Sequence, residues 1–349
     1  MKKLRIFLCL MLVAIVSVFA AACATTLPGG GDNPSTPSVP ADPGETPEPA
    51  YSYTSAISVY MPDGAPALGF AKLMHDDNKL GKTELTYTVV DATTIGTYVQ
   101  KQTATMAVLP VNAASKLCAA GDKYKMAAVL THGNLFVIGK GDAATLDDLK
   151  GKVVAVVNRE NVPGLTFKSL LKNTSIEYVD GSAGDTAVAD KVTLVGIDGT
   201  GVAAAVSTYD YVVAPEPAVT NVTKKTGAKV NMSLQTLWGE GGYPQAVLVV
   251  KNDLLRDETF MTALYSALEE SAEWVKTHGA DAATAVGNHF EESKQTTLSG
   301  PALSEAAVTG CNIRVEKAAD AKNKVNDYIA KIREITPGSA SVVSDAFFA

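Results

Sequence analysis

Residues 105–117, T-M-A-V-L-P-V-N-A-A-S-K-L, contain the pattern that decides the fold. A short apolar run ends at Pro110, and a segment typical of a helix begins at the next residue. The same step from strand to helix follows A-I-S-V-Y-M (56–61), E-L-T-Y-T-V-V (84–90), K-V-V-A-V-V (152–157) and Y-D-Y-V-V-A (209–214). Short apolar strands alternating with helices predict an α/β protein with mostly parallel sheets and helices on both faces.

The length of the chain predicts more than one lobe. About 300 of the 349 residues follow the N-terminal segments, which is more than one core usually holds, so we expect two lobes. From Asp257 onward the spacing of apolar residues, as in D-E-T-F-M-T-A-L-Y-S-A-L, predicts a nearly all-helical region packed on a core.

Residues 1–23 have the layout of an export signal. Lys2, Lys3 and Arg5 precede an apolar segment of about 15 residues that closes in small alanines. The small residues followed by Cys23 resemble a lipobox, although Ala20 stands where leucine is preferred. This resemblance implies that Cys23 is lipid-modified and anchors the chain to the cell membrane. Ordinary cleavage and an uncleaved anchor are the alternatives.

Residues 24–50 are predicted to form a disordered tether. They contain G-G-G, P-S-T-P-S-V-P and G-E-T-P-E-P, with almost no apolar side chains to bury, so folding could not offset the ordering entropy. We therefore expect the folded region to be extracytoplasmic.

Charge and cysteine content limit the partners. The formal net charge of −7 becomes −10 without the three cations of the signal, so nucleic acid is a poor partner. The two cysteines of the folded region, Cys118 and Cys311, match no zinc or redox spacing. Two buried thiols and a disulfide between them both remain open.

Five segments together resemble a known family. They are M-P-D-G-A-P-A-L-G (61–69), A-V-L-P-V-N-A-A-S-K-L (107–117), L-D-D-L-K-G-K-V-V-A-V (146–156), V-V-A-P-E-P-A-V-T (212–220) and G-Y-P-Q-A-V-L-V-V (242–250). In this order they are similar to solute-binding lipoproteins of ABC transporters, in the branch of nitrate, sulfonate, taurine and thiamine-precursor binders. None of the segments identifies a ligand.

The resemblance implies a two-lobed, type II periplasmic-binding-protein fold with two crossover strands, near Lys140 and Gln245. Lobe one would hold residues 51–140 and 246–349, and lobe two residues 141–245. A small organic solute would bind in the cleft between the lobes, which would close by a hinge motion and dock on ABC permease subunits. We expect a monomer without cofactor or metal. An extracytoplasmic enzyme or a ligand sensor on the same fold are the alternatives.

The beginnings of helices supply the candidate ligand-binding residues, because their first N–H groups lack partners within the helix. Five strand-to-helix turns qualify, and Gly64 and Gly164 in them are expected to let a ligand approach the backbone. Glu216 matches a family glutamate near the cleft, Tyr243 and Trp238 could stack on a ring, and Arg159 could pair with an acid. The candidates in the turns are Asp63, Gly64, Ala65, Pro66, Thr93, Thr94, Pro110, Val111, Asn112, Asn161, Val162, Pro163, Gly164 and Thr200.

Enzyme motifs are present only in fragments, and we predict no catalytic residues. Ser169-Leu-Leu-Lys172 matches S-x-x-K and Lys225-Thr226-Gly227 matches K-T-G, but no S-D-N lies between them. The K-T-G also falls at the predicted end of a helix, where that chemistry needs a strand. No histidine has the spacing of a metal site such as H-E-x-x-H.

Overall fold

The computed structural model describes residues 51–291, 296, 298 and 303–349. The predicted signal, the anchor Cys23 and the tether 24–50 lie outside the described residues. The strands are β1 Ile57–Pro62, β2 Lys79–Leu80, β3 Thr83–Val90, β4 Met106–Pro110, β5 Tyr124–Thr131, β6 Leu135–Gly139, β7 Lys152–Val157, β8 Tyr178–Gly181, β9 Val192–Ile197, β10 Tyr211–Pro215, β11 Lys229–Ser233, β12 Ala246–Lys251 and β13 Ile313–Lys317.

Helices follow most of these strands directly. They are α1 Ala65–Leu68, α2 Ala71–His75, α3 Ile95–Gln100, α4 Val111–Leu117, α5 Val162–Asn173, α6 Val202–Thr208, α7 Ala218–Thr226, α8 Leu234–Trp238, α9 Asn252–Leu255, α10 Glu258–Trp274, α11 Gly279–Gly287, α12 Glu305–Gly310 and α13 Ala318–Ile335. Within the described ranges, none is long and apolar enough to cross a membrane.

Two separate sheets organise the chain. The strand order of the first is β13-β5-β12-β4-β1-β3-β2, and that of the second is β11-β6-β10-β7-β9-β8. The prediction of an α/β fold is confirmed. The prediction of mostly parallel sheets was too strong. Among the described strands, β1 pairs parallel with β3 and β4, and the pairings that link β10, β7, β9 and β8 are parallel, but the other six strand pairings are antiparallel. The strands that return the chain between the sheets, such as β6 and β12, pair antiparallel to their neighbours.

The chain passes between the sheets through two short segments. Strand β5 of the first sheet ends at Thr131 and β6 of the second begins at Leu135, so the first crossing comprises residues 132–134. The predicted boundary near Lys140 was therefore wrong, since β6 is paired with β10 and β11. The chain returns to the first sheet through residues 239–245, before β12.

The C-terminal region differs from its prediction in two ways. It contains a strand, β13, which pairs with β5 at the edge of the first sheet. Its last helix, α13, does not pack on the first sheet alone, because the Tyr328 hydroxyl lies 2.7 Å from Thr166 Oγ1 in α5, beside the second sheet. Lys172 of α5 also pairs with Glu334 of α13 at 3.1 Å. The segment assigned to lobe one thus contacts both halves of the molecule.

One buried cluster joins the two sheets. It includes Val129 of β5, Val137 of β6 and Tyr328 of α13, each at most 1% exposed. A second cluster fills the other face of the first sheet, and a third lies between the second sheet and helices α6 and α7. Helices therefore cover both faces of each sheet, as the apolar strands predict.

Candidate functional site

A cavity of about 470 Å³ lies between the two sheets, where strands end and helices begin. From the first sheet it is lined by residues that follow β1, β3 and β4, and from the second by residues that follow β7 and β10. The crossing segments contribute Asn134 and Gln245. In open α/β sheets the crevice beyond the carboxyl ends of the strands is the usual place for a ligand. The position and size of this cavity suit a small molecule.

The structure brings most of the predicted turns together at this cavity. Ten of the candidates line it: Asp63, Ala65, Pro66, Thr93, Pro110, Asn112, Asn161, Val162, Pro163 and Glu216. Their contact with a ligand stays a prediction.

Four other candidates lie in the same turns without lining the cavity. Gly64 adopts φ +95, so its role is to permit this backbone conformation. The Thr94 hydroxyl donates to the Asp91 carbonyl at 2.9 Å, and Val111 is fully buried. A Cβ on Gly164 would lie 1.8 Å from the Arg159 carbonyl oxygen, so the chain itself occupies the space that we expected a ligand to approach.

The remaining candidates lie elsewhere. Thr200 lines a neighbouring hollow of about 280 Å³. Tyr243 is 1% exposed and stacks on Tyr328, with ring centroids 5.6 Å apart, and Trp238 packs against the same pair. These aromatic rings join α8, the second crossing and α13 instead of facing the cavity. Arg159 donates to the carbonyls of residues 181 and 194, each at 2.6 Å, and so ties together the strands of the second sheet.

Two amide side chains from the crossing segments line the cavity, and neither was among the predicted ligand-binding residues. Gln245 Nε2 donates to Asn134 Oδ1 at 2.7 Å, and the Asn134 backbone N–H donates to Gln245 Oε1 at 3.0 Å. We name these two residues the crossover amide pair. Each residue bonds to the other, so the pair links the two crossing segments. The sequence signal that could have identified them is an amide residue in each short segment between apolar strands.

Glu216 connects the crossover amide pair to the second sheet. Its carbonyl accepts from Asn134 Nδ2, and its N–H donates to the Asn134 carbonyl, both at 2.9 Å. Its carboxylate accepts from the Thr220 N–H at 2.9 Å and from the Thr220 hydroxyl at 2.7 Å, at the beginning of α7. Burial raises the pKa of Glu216, against the opposing effect of the two Thr220 hydrogen bonds. Glu216 therefore both lines the cavity and caps α7.

Asp63 supplies a second carboxylate from the first sheet. It follows β1, and its Oδ1 accepts a hydrogen bond from the Thr296 hydroxyl at 2.6 Å. Among the described residues, the charged side chains that line the cavity are these two acids, accompanied by five amide side chains and several prolines and alanines.

The enzyme-like motifs lie away from this cavity. Ser169 is 2% exposed within α5, and its hydroxyl has no hydrogen-bond partner among the described residues. Lys172 is on the surface, paired with Glu334. Thr226 ends α7 and Gly227 follows it with φ +72, so the K-T-G is at a helix end, as predicted. Within the described part of the chain, no three His, Cys, Asp or Glu residues are grouped as metal ligands.

The two cysteines of the described region are separate thiols. Cys118 and Cys311 are both buried and free. Burial raises the pKa of each, that of Cys118 to about 12. Of the two possibilities left open by the sequence, the structure shows the buried thiols.

Comparisons with known proteins support the fold. No family model matches the chain, and no curated protein matches it. An ABC transporter structure from Parabacteroides distasonis is 19% identical over 85% of this chain and 99% of that chain, with a TM-score of 0.66. The zinc-bound ligand-binding component of an ABC-type import system from Staphylococcus aureus is 13% identical over 85% and 97%, with a TM-score of 0.59.

A third structure has a named solute class. It is a putative periplasmic sulfonate-binding protein of an ABC transporter from Methylobacillus flagellatus, 13% identical over 84% of this chain and 91% of that chain, with a TM-score of 0.55. Identities this low show a shared fold and no more. The chain has the two-sheet α/β fold of periplasmic solute-binding proteins.

Proposed function

We propose that this protein is an extracytoplasmic, lipid-anchored receptor that captures a small organic solute and delivers it to an ABC importer. The observation that carries the proposal is the cavity of about 470 Å³, which is lined from both sheets and from both crossing segments. A solute there would contact both halves and stabilise the closed arrangement relative to an open one. The fold, shared with ligand-binding components of import systems, supports transport as the purpose of capture.

The lobes in this proposal are joined at residues 132–134 and 239–245, with the crossover amide pair between them. The predicted signal and the resemblance of residues 20–23 to a lipobox support a chain held at the membrane through Cys23, and its acidic net charge supports a monomer. No observation favours the enzyme alternative, because the fragments of enzyme motifs lie outside the cavity. A ligand sensor would use the same capture step, and a permease and an ATPase encoded beside the gene would favour transport.

Native mass spectrometry of protein purified gently from its own cells tests capture. Ala113 lines the cavity from α4, so Ala113→Trp should fill it, whereas Ala204→Trp places the same ring on the exposed face of α6. We expect a small molecule on the wild type and on Ala204→Trp but not on Ala113→Trp. Equal occupancy of all three proteins, or none on any, would contradict capture in this cavity.

The anchor is tested separately. Cys23→Ser should lack acyl chains and be released or remain uncleaved, while the wild type carries diacylglycerol on Cys23. Mass spectrometry of the N-terminal peptide measures this, and a wild type without lipid would contradict the anchor and leave the capture proposal standing.

A further inference from the structure

A second hollow, of about 430 Å³, lies beside the second crossing segment and shares no lining residue with the cavity proposed for the solute. It is bounded by α8, by residues 239–242 of the crossing segment, and by Asn312 and Arg314 at the edge strand β13. We name it the crossing hollow. Among the described residues its lining consists of glycines and polar side chains, so a hydrophilic ligand would find hydrogen-bond partners there.

Arg314 gives the crossing hollow a positive charge in a fixed orientation. Its Nη1 donates to Asn312 Oδ1 and its Nη2 donates to the Gly241 carbonyl, both at 2.5 Å. A guanidinium has five N–H groups, so three remain after these two bonds. Burial lowers the pKa of Arg314, and the charge of Glu316 opposes this effect only in part. Because an arginine stays protonated all the same, a partly desolvated positive charge lines the hollow.

Among the described residues, no carboxylate forms an ion pair with Arg314. Glu316 bonds instead to Lys324 Nζ at 2.6 Å. Glu240 lines the hollow, but it is an exposed residue of the loop and is not paired with the guanidinium. Hydrogen bonds from a guanidinium to an oxyanion are charge-assisted and stronger than bonds between neutral groups. An anionic ligand would therefore gain more from this guanidinium than a neutral ligand.

The loop 239–242 adds backbone donors. The N–H groups of residues 240 and 241 have no hydrogen-bond partner among the described residues, whereas those of 239 and 242 donate to the carbonyls of 235 and 239. Gly241 and Gly242 have φ of +77 and +71, and consecutive N–H groups in such turns form concavities that bind anions. A Cβ on Gly242 would lie 2.1 Å from the His132 carbonyl oxygen, so the loop is packed closely against the first crossing segment, which holds its donors in place.

From these groups we infer that the crossing hollow binds a small tetrahedral oxyanion, of which inorganic phosphate is the simplest example. Its oxygens accept from the remaining N–H groups of Arg314 and from the N–H groups of residues 240 and 241. Because the loop belongs to the second crossing segment and Arg314 to β13 of the first sheet, the bound anion ties that segment to the first sheet. The site is separate from the proposed capture of a solute and does not depend on it.

Calorimetric titration of inorganic phosphate into the purified protein tests the site, with sodium chloride of the same ionic strength as the blank. Arg314→Gln removes the charge from the hollow, whereas Arg256→Gln removes the same charge from an exposed pair with Asp253. We expect phosphate to bind equally to the wild type and Arg256→Gln, and at least tenfold more weakly to Arg314→Gln. Glu240→Gln, which removes a competing carboxylate, should bind it at least twofold more tightly. Equal affinity for all four proteins, or no binding to the wild type, would overturn the inference.

The variant Ala113→Trp separates this site from the solute cavity, which the added ring should fill. Ala113→Trp should bind phosphate with the affinity of the wild type. If Ala113→Trp loses phosphate binding while Arg314→Gln keeps it, the anion binds in the solute cavity, and the crossing hollow is refuted as its site.

Hydrogen exchange of the wild-type protein gives a test that does not require any variant to fold. The N–H groups of residues 240 and 241 should exchange several-fold more slowly in phosphate than in chloride of the same ionic strength, because the bound anion accepts from them. Residues 111–115, at the solute cavity, should exchange equally in both salts. Unchanged exchange at residues 240 and 241 would contradict the site.

Discussion

Replacing Gly164 by alanine should destabilise the protein although alanine is the better helix former. Gly164 is the third residue of α5, and an added Cβ would lie 1.8 Å from the carbonyl oxygen of Arg159 and 2.4 Å from its carbonyl carbon. Real Cβ contacts are essentially never shorter than 3.0 Å. Because the obstructing atoms belong to the backbone, no rotamer change can relieve the overlap.

The expected magnitude follows from two opposing effects. Helix propensity favours alanine over glycine by about 1 kcal/mol. Overpacking costs about 1–3 kcal/mol, and an overlap with backbone belongs at the upper end of that range. The net loss should be about 2 kcal/mol, which corresponds to a fall in Tm of about 3 °C, because a folded region of about 300 residues unfolds with an entropy of about 0.6 kcal/mol/K.

Thermal unfolding followed by circular dichroism measures the effect. Gly199→Ala is the matched control, because a Cβ there meets no atom within 4 Å and its φ lies outside the left-handed region. We expect the control to differ from wild type by less than about 1 kcal/mol. A Gly164→Ala protein as stable as wild type would refute the close approach of α5 to Arg159, and with it the placement of residues 161–163 at the cavity.

Three further predictions concern the rest of the molecule. Cys118 and Cys311 should resist iodoacetamide in the folded protein and react after unfolding, and peptide mass spectrometry showing fast labelling of either would contradict their burial. Gln245→Leu should lower the free energy of unfolding, measured in urea, by about 1–3 kcal/mol because it leaves Asn134 without its partner in the crossover amide pair. The control Gln235→Leu should lower it less, because the side-chain oxygen of Gln235 has no hydrogen-bond partner among the described residues. Burial alone would raise the pKa of Asp257, but backbone N–H donors at residues 260, 53 and 52 outweigh burial and lower the pKa. The contribution of the Asp257 carboxylate to stability is therefore lost as pH falls through that lowered pKa. Asp257→Asn should make the free energy of unfolding less dependent on pH below about pH 4, and an unchanged pH profile would refute this.

Local sequence predicted the repeating units well. Apolar runs followed at once by proline or glycine, as at Pro110, became strands leading into helices, because both the strand pattern and the turn chemistry act over a few residues. The same turns predicted much of the cavity lining, since the carboxyl ends of parallel strands meet at one edge of a sheet.

Features that depend on distant partners were not predictable in this way. Nothing in β6 itself says that it pairs with β10 and not with β5, so the first crossing was misplaced. Asn134 and Gln245 are 111 positions apart and become a pair only when both crossings are in place. Tyr243 was assigned to the cavity because aromatic rings suit ligands, but its ring is buried against Tyr328, which lies far away in sequence.

The central claim is that one solute is held from both halves of the molecule, and calorimetric titration of paired variants tests it most directly. Asn112 comes after β4 of the first sheet and Asn161 after β7 of the second, and both residues line the cavity. When the captured solute is titrated into Asn112→Ala and into Asn161→Ala, each variant should bind it about threefold to tenfold more weakly than the wild type. This reduction corresponds to the loss of one hydrogen bond worth about 1 kcal/mol. If only one of the two substitutions weakens binding while the other leaves the affinity of the wild type, the solute is held by a single half and closure around it is contradicted.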